Sequence, residues 1–479
     1  MSDRRKTVDL IKDDKKYLWH PFTQMADWVN DDPAPPVVIA AGKGAYLVDS
    51  DGKKYIDGVS SLWVTLHGHR HPKIDRAIKR QIDKISHSTF LGLTHEPAIT
   101  LARKLAEITP EPLTRVFYSD NGSTSVEIAL KMAYQYWLQS GNSRKRNFLS
   151  LVNAYHGDTI GSVSVGGMDL FHSKFRSLLF KTHFAPSPYC YRCSFRAREK
   201  RIENEGKGRQ RQFNGHCASV GCAGECVAEL EKIMKQRHEE LAGMIVEPMV
   251  QGAAGMLTMP AGYLKTVEQL CRRYGVLLIC DEVATGFGRT GKMFAVEHEG
   301  VKPDFLCMSK GITGGYLPLA VTMTTEKIYS GFLGKFDEFK TFFHGHTYTA
   351  NPLACAAALA SLDIFKEEKT LEKLAPKIKL LTGELSALAE LPWAGDVRQC
   401  GFMAGIELVM DKATGKDFPA KDKIGAKVCA ACRPHGVMLR PLGNVIVILP
   451  PLSLSASELK RMMHVVQTAI KEVLEGYRA

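Results

Sequence analysis

The sequence has 479 residues, 45% of them hydrophobic and 24% charged, a balance that supports two or three folded domains with large cores and excludes a disordered chain. Of its formal net charge of +12, the stretch from Arg192 to Gln212 alone supplies +5, with eight Lys or Arg against three Glu; without regular aromatic interleaving or a reader motif, this argues against nucleic acid as a partner. The twelve cysteines are too sparse for a disulfide scaffold and read as reduced thiols, and no apolar run approaches the roughly 18 residues of a membrane span, so the expected setting is cytoplasmic, with no membrane partner.

Residues 1–75 begin with the hydrophilic "MSDRRKTVDLIKDDKKYLWH" and continue into the strand-like "GAYLVDSDGKKYIDG", where Asp51-Gly52 makes a turn between alternating apolar positions. They read as an N-terminal segment contributing to a small lobe. Over 76–350 the short apolar runs "RVFYS", "NFLSLV", "GMIVEP", "VLLICDE" and "DFLCMS" alternate with helical stretches. That alternation predicts an α/β fold, a large domain with a mostly parallel central sheet, interrupted by a basic, cysteine-containing insert at about 188–227. Residues 351–479, with the helical "ANPLACAAALASLDIFKEE" and the strand-rich "VMLRPLGNVIVILPP", read as a second, smaller α+β domain.

The strand "RVFYS" runs into "DNGSTSVEIALKMAYQYW", whose Val126, Leu130, Ala133, Tyr134 and Trp137 recur at helical spacing. The spacing predicts a helix that starts near Gly122-Ser123. Its free N–H groups would face the carboxyl end of the sheet, a place for a phosphate, although Asn-Gly-Ser is equally an ordinary N-cap. Further on, Cys190, Cys193, Cys217, Cys222 and Cys226 accompany His216, a group that could hold zinc or an iron–sulfur cluster. The spacing matches no standard finger and the residues between are hydrophilic, so a surface loop without metal is the preferred reading.

In "VLLICDEVATGFGRTG" an apolar run ends in Asp281-Glu282. A carboxylate at a buried strand end needs a cationic or protonated partner, and an ion pair with Arg289 would satisfy it without any catalytic role. Twenty-nine residues later, "LCMSKGITGG" places Lys310 between an apolar strand and a glycine-rich turn, at the sheet edge where open α/β sheets bind ligands. A lysine amine for a carbonyl, a helix start for a phosphate and an Asp for a pyridinium nitrogen are together the parts of a pyridoxal 5'-phosphate site.

The stretches "DEVATGFGRTG", "SKGITGG" and "GHTYTANPLACAAAL" resemble the class III, fold-type I pyridoxal-phosphate aminotransferases, and the resemblance runs nearly the whole chain. "LWHPFTQM", "GVSSLWVTLHGHRHP", "AYHGDTIGSVSVGG" and "VEPMVQGAAGM" narrow it to the branch that moves an amino group from S-adenosylmethionine to 8-amino-7-oxononanoate in biotin synthesis. The resemblance implies that Lys310 carries the imine, Asp281 pairs with the ring nitrogen, Gly122 and Ser123 bind the phosphate, and Tyr155 stacks on the ring and touches substrate, with Asp158 behind it. It further implies a homodimer in which His346 and Thr347 reach the phosphate of the other subunit. Arg440 would receive the substrate carboxylate, and Phe22, Leu62, Trp63 and Gly345 would join it as substrate contacts.

Better-known members carry Tyr at Phe22, a Trp pair at Leu62-Trp63 and a Tyr near Val447. These departures fall on substrate contacts and leave the cofactor set intact. Lysine as donor, used by some members with this style of motif, and another ω-aminotransferase activity therefore stay open. A noncatalytic metal or redox sensor on the same fold is the reading from another class; the intact Lys310, Asp281 and Gly122-Ser123 set argues against it.

Overall fold

In the computed structural model, which describes residues 6–193, 195 and 224–477, the apolar runs of the middle of the chain pair into one seven-stranded sheet. Its order is Leu113–Ser119, Ala320–Thr325, Phe305–Met308, Leu277–Asp281, Leu241–Val246, Asn147–Leu151 and Thr182–Ala185. All neighbours are parallel except around Ala320–Thr325, which is antiparallel to both strands beside it. Leu241–Val246 and Leu277–Asp281 are buried at every residue, as central parallel strands must be when both faces are covered. Thr182–Ala185 and the antiparallel Ala320–Thr325 are additions to the five strands expected from sequence. The helix Gly122–Gln139 packs Val126, Ala129, Leu130 and Ala133 into one core with Ile245, Ile279, Phe305 and Cys307.

The sheet belongs to the larger of two compact units, Lys73–Leu374 with Arg398–Met403. The helix Pro352–Glu367 is part of this unit too, so the division falls after Leu374 and not at the 350/351 boundary drawn from sequence. The reason is its alanine face. Ala357, Ala360 and Ile364 share a core with Ile74, and small side chains let the helix lie against Glu96–Ile108 and against the turn Lys310–Thr313. Asn351 caps it, accepting from Leu353 N at 3.1 Å and Ala354 N at 3.2 Å, with Pro352 following at the first helical position.

The smaller unit joins Met1–Pro72 to Ala375–Val397 and Ala404–Ala479. Ile39–Lys43, Tyr46–Asp49 and Lys54–Asp57 form an antiparallel meander, and Val437–Met438 adds to its edge in parallel. The expected Asp51-Gly52 turn connects the second and third strands, with Gly52 at φ 86°, a conformation glycine adopts without steric cost. Among the described residues no helix is long and apolar enough to cross a membrane.

Candidate active site

Parallel strands present all their carboxyl ends at one edge, and the register decides which side chains meet there. Cys280 lies opposite Val246 and Asp281 opposite Cys307. The residues that follow, Glu247, Asp281-Glu282 and Ser309-Lys310, therefore leave the sheet side by side.

The helix Gly122–Gln139 starts at this edge. Asn121 accepts from Thr124 N at 3.1 Å while Thr124 Oγ1 accepts from Asn121 N at 3.1 Å, a reciprocal cap that orders the first turn. Two loops close on that turn. A Cβ at Gly122 would stand 2.5 Å from Val283 Cγ1, and one at Gly157, where φ is +124°, would stand 2.1 Å from Ser123 Oγ. Only glycine admits either approach. Asp158 N donates to Ser123 Oγ at 3.1 Å, and the Tyr155 hydroxyl donates to Asp158 Oδ2 at 2.7 Å. Ser123, Tyr155 and Asp158 are thus brought together, and burial, then the bond to Asp158, raises the Tyr155 pKa.

Asp281 is buried, and its partner is not Arg289 but His156: Nδ1 and Oδ2 lie 2.7 Å apart in a pair closed to solvent. Oδ1 accepts from Val283 N at 3.0 Å. His156 Nε2 is buried without a hydrogen-bond partner among the described residues, a state that asks for one. Glu247 stands beside this pair, accepting from Tyr155 N at 3.1 Å and Gly252 N at 2.9 Å. Burial, partly offset by the His156 charge, pushes its pKa up to about 7. Sequence reasoning assigned neither His156 nor Glu247; the latter repeats the signal that marked Asp281, an apolar run ending in an acid.

Lys310 opens the turn Lys310–Thr313 with φ 45°, strained for a residue with a side chain and characteristic of functional positions. The turn is pinned by Ser309 Oγ donating to Leu319 O at 2.8 Å and Thr313 Oγ1 donating to Leu317 O at 2.7 Å. Desolvation holds the Lys310 amine below the usual lysine range, with Arg289 assisting; Asp281 and then Glu247 act in the opposite sense. The amine is consequently easier to deprotonate while still facing negative charge. A nucleophilic amine, a buried carboxylate next to an imidazole and a capped helix start suit a phosphorylated pyridine aldehyde.

Glu282, adjacent to Asp281 but turned into the core, gives a measurable pH dependence. It accepts from Ala295 N and Val296 N at 2.8 Å each and from Thr285 Oγ1 at 3.1 Å, yet burial outweighs these donors and raises its pKa from 4.5 to about 7. Between those values the folded chain keeps a proton that the unfolded chain releases, so this residue's contribution to stability is lost as pH rises through the window. At about 1.4 kcal/mol per unit the loss is about 3 kcal/mol. Urea unfolding of the cofactor-free chain should show wild-type stability falling relative to Glu282→Gln between pH 4.5 and 8; parallel pH profiles would contradict it.

The remaining sequence-derived residues are distributed as follows. Gly345 and Thr347 are exposed, and His346 Nδ1 lies 2.7 Å from Asp120 Oδ2, next to the Asn121 cap. Phe22, Leu62, Trp63 and Arg440 all belong to the smaller unit. There Phe22 is 55% and Leu62 47% exposed while Trp63 is buried, and Arg440 follows the strand Val437–Met438. Cys190, Cys193 and Cys226 are half-buried; Cys217, Cys222 and His216 lie outside the described residues. Among those described, no group of three or more His, Cys, Asp or Glu could hold a metal ion.

Residues 28–470 match the family described as aminotransferase class-III. An adenosylmethionine-8-amino-7-oxononanoate aminotransferase from Geobacter sulfurreducens is 51% identical over 463 residues, 97% of each chain. The crystal structure of the enzyme of that name from Methanocaldococcus jannaschii has a TM-score of 0.88 at 45% identity, covering 98% of this chain and 99% of its own. An amine transaminase from an uncultivated Pseudomonas species, solved in its PLP-bound form, has a TM-score of 0.84 at 35% identity over 95% of this chain and 98% of its own.

Proposed function

The chain belongs to the class-III aminotransferases, which are pyridoxal-phosphate-dependent enzymes, and from that premise we propose that it transfers an amino group from S-adenosylmethionine to 8-amino-7-oxononanoate, giving 7,8-diaminononanoate for biotin synthesis. The observation that carries the reading is the meeting of Lys310, Asp281 and the Gly122-Ser123 helix start at one sheet edge, in a chain 51% identical to an enzyme of that name.

When bound, pyridoxal phosphate supplies a carbonyl for amines and a ring that accepts electron density. Lys310 Nζ, its basicity lowered by desolvation, is the nucleophile and afterwards the base that holds and returns a proton. Asp281, with one oxygen fixed by His156 and the other by Val283 N, would supply the negative charge that favours protonation of the cofactor's ring nitrogen. Ser123 and the amide of Gly122 would hold the phosphate at the helix start, where backbone N–H groups and the helix dipole favour an anion. Tyr155, its hydroxyl oriented by Asp158, would contact the cofactor and the substrate. Arg440 would receive the substrate carboxylate, and Phe22, Leu62, Trp63 and Gly345 are the further substrate contacts that the family resemblance implies.

The direct test is 8-amino-7-oxononanoate with each donor in turn and mass detection of the diamine. Product with S-adenosylmethionine is expected. A second reading, lysine as donor, is favoured by Leu62 and Phe22, which lack the indole and phenol of better-known members. An aromatic contact is worth about 0.5–1.5 kcal/mol beyond its area, enough to weaken an adenosyl donor without abolishing it. Product with lysine alone would reverse the choice of donor, and product with neither would move the enzyme to another ω-amine substrate.

The enzyme acts in the cytoplasm as a homodimer, with His346 and Thr347 completing the phosphate site of the other subunit. Mixed Lys310→Ala and Thr347→Ala chains should then form hybrids with one intact site, restoring roughly a quarter of wild-type activity if mixing is random. Hybrids of verified composition that gain nothing over either parent would overturn the sharing of sites.

A further inference from the structure

Three residues without glycine's freedom occupy positive φ within one short stretch of the smaller unit: Ser60 at 51°, Ser61 at 62° and Trp63 at 67°. With ψ −69°, Ser61 has the geometry of the strained γ-turn, and Leu62 follows at φ −146° and ψ 63°. Such a run persists only where its surroundings over-determine it. Here the determinant is Asp57, fully buried at the end of the strand Lys54–Asp57. Its Oδ1 accepts from Ser61 N at 2.7 Å, its Oδ2 accepts from Ser61 Oγ at 2.9 Å, and His69 Nε2 lies 2.9 Å from Oδ2. Ser60 Oγ, turned the other way, donates to Leu449 O at 2.7 Å.

The same strand end controls a second segment. Asp57 lies opposite Met438 in the parallel pair, Gly58 N donates to Met438 O at 2.9 Å, and Leu449 N donates to Gly58 O at 2.9 Å. Arg440 is two residues beyond Met438. One short strand thereby anchors the turn bearing Leu62 and Trp63 by a side chain, and the approach to Arg440 by its backbone.

We propose that Asp57 is a positioning residue that sets substrate specificity, holding the apolar Leu62-Trp63 turn in fixed relation to the Arg440 guanidinium. The ligand it tunes is a carboxylate on an apolar methylene chain, taken by Arg440 at the charged end and by the turn along the methylenes. The inference rests on the proposed reading of Leu62, Trp63 and Arg440 as substrate contacts. The clamp itself lies wholly in the smaller unit, whereas Lys310, Asp281, Gly122 and Ser123 belong to the larger one, so substrate recognition and cofactor loading should separate on mutation.

The test uses the holoenzyme in two variants. Asp57→Asn puts an amide NH₂ where one of three donors now points, and Ser61→Ala deletes a single hydroxyl while keeping the bond from Ser61 N. Measured are KM and kcat for 8-amino-7-oxononanoate and for an analogue one methylene shorter, bound pyridoxal phosphate per chain, and thermal midpoint. Asp57→Asn should raise KM for the full-length substrate by about 10- to 100-fold, the scale of an ångström-level misplacement, narrow the discrimination against the shorter analogue, and leave cofactor content unchanged. Ser61→Ala should do the same by about threefold, as for one lost hydrogen bond. If Asp57→Asn does not fold, the Ser61→Ala result decides. KM and discrimination within twofold of wild type in the folded variants, whatever happens to the midpoint, would overturn the proposal. Should wild type itself reject 8-amino-7-oxononanoate, the functional reading fails separately, and the same comparison runs on the amino-carboxylate series it accepts.

Discussion

Lys310→Ala is expected to lower transamination by at least about 10⁴-fold, since one change removes both nucleophile and base, while the chain still folds and still binds pyridoxal phosphate. Folding survives because Ser309 and Thr313 still pin the turn; loss of φ strain is not expected, since alanine at 45° is no easier than lysine. Borohydride reduction of the wild type followed by peptide mapping should place the pyridoxyl label on Lys310. A label on another lysine, or turnover in the alanine variant within a hundredfold of wild type, would refute the assignment.

Asp281→Asn should cost about 10²–10³-fold in kcat, the scale of removing a preorganised electrostatic contact in a dry site. The amide keeps the shape of the carboxylate and an oxygen for Val283 N or His156, so the loss reports charge. A second effect follows from the field at Lys310. The Asp281 charge is the largest influence raising that amine's pKa against desolvation, so in the cofactor-free variant Lys310 should titrate lower than in wild type. The pH dependence of its modification by an amine-selective reagent measures this directly. Turnover within tenfold of wild type together with an unchanged lysine titration would contradict the role given to Asp281.

The parts of the site that lie at strand ends and helix starts were legible before any tertiary contact was known. A central parallel strand is buried on both faces and reads as an unbroken apolar run, so the first polar residue after it marks both the sheet edge and a side chain at that edge. Asp281 and Lys310 stand out for this reason. The helix start at Gly122 was legible from the 3.6-residue spacing behind it and from Asn121, whose cap is a local bond across three residues. Glu247 carried the same mark as Asp281 in "GMIVEP", but nothing local distinguishes an acid that becomes buried against a neighbour from one that turns to solvent.

What the chain's local chemistry determined by itself, then, was the α/β class, the strand ends and a set of candidate residues for a phosphorylated carbonyl cofactor, because periodicity, capping and burial act over a few residues. Tertiary structure alone decided which of them meet. His156 pairs with Asp281 across 125 positions, where the sequence could name only an unspecified cation or Arg289. Pro352–Glu367 joins the larger unit because its alanines allow close packing. Met1–Pro72 joins the C-terminal segments through the pairing of Asp57 with Met438. A hydrogen bond between residues hundreds of positions apart leaves no periodic trace in either segment, since each half is satisfied only when the whole chain has closed its loops.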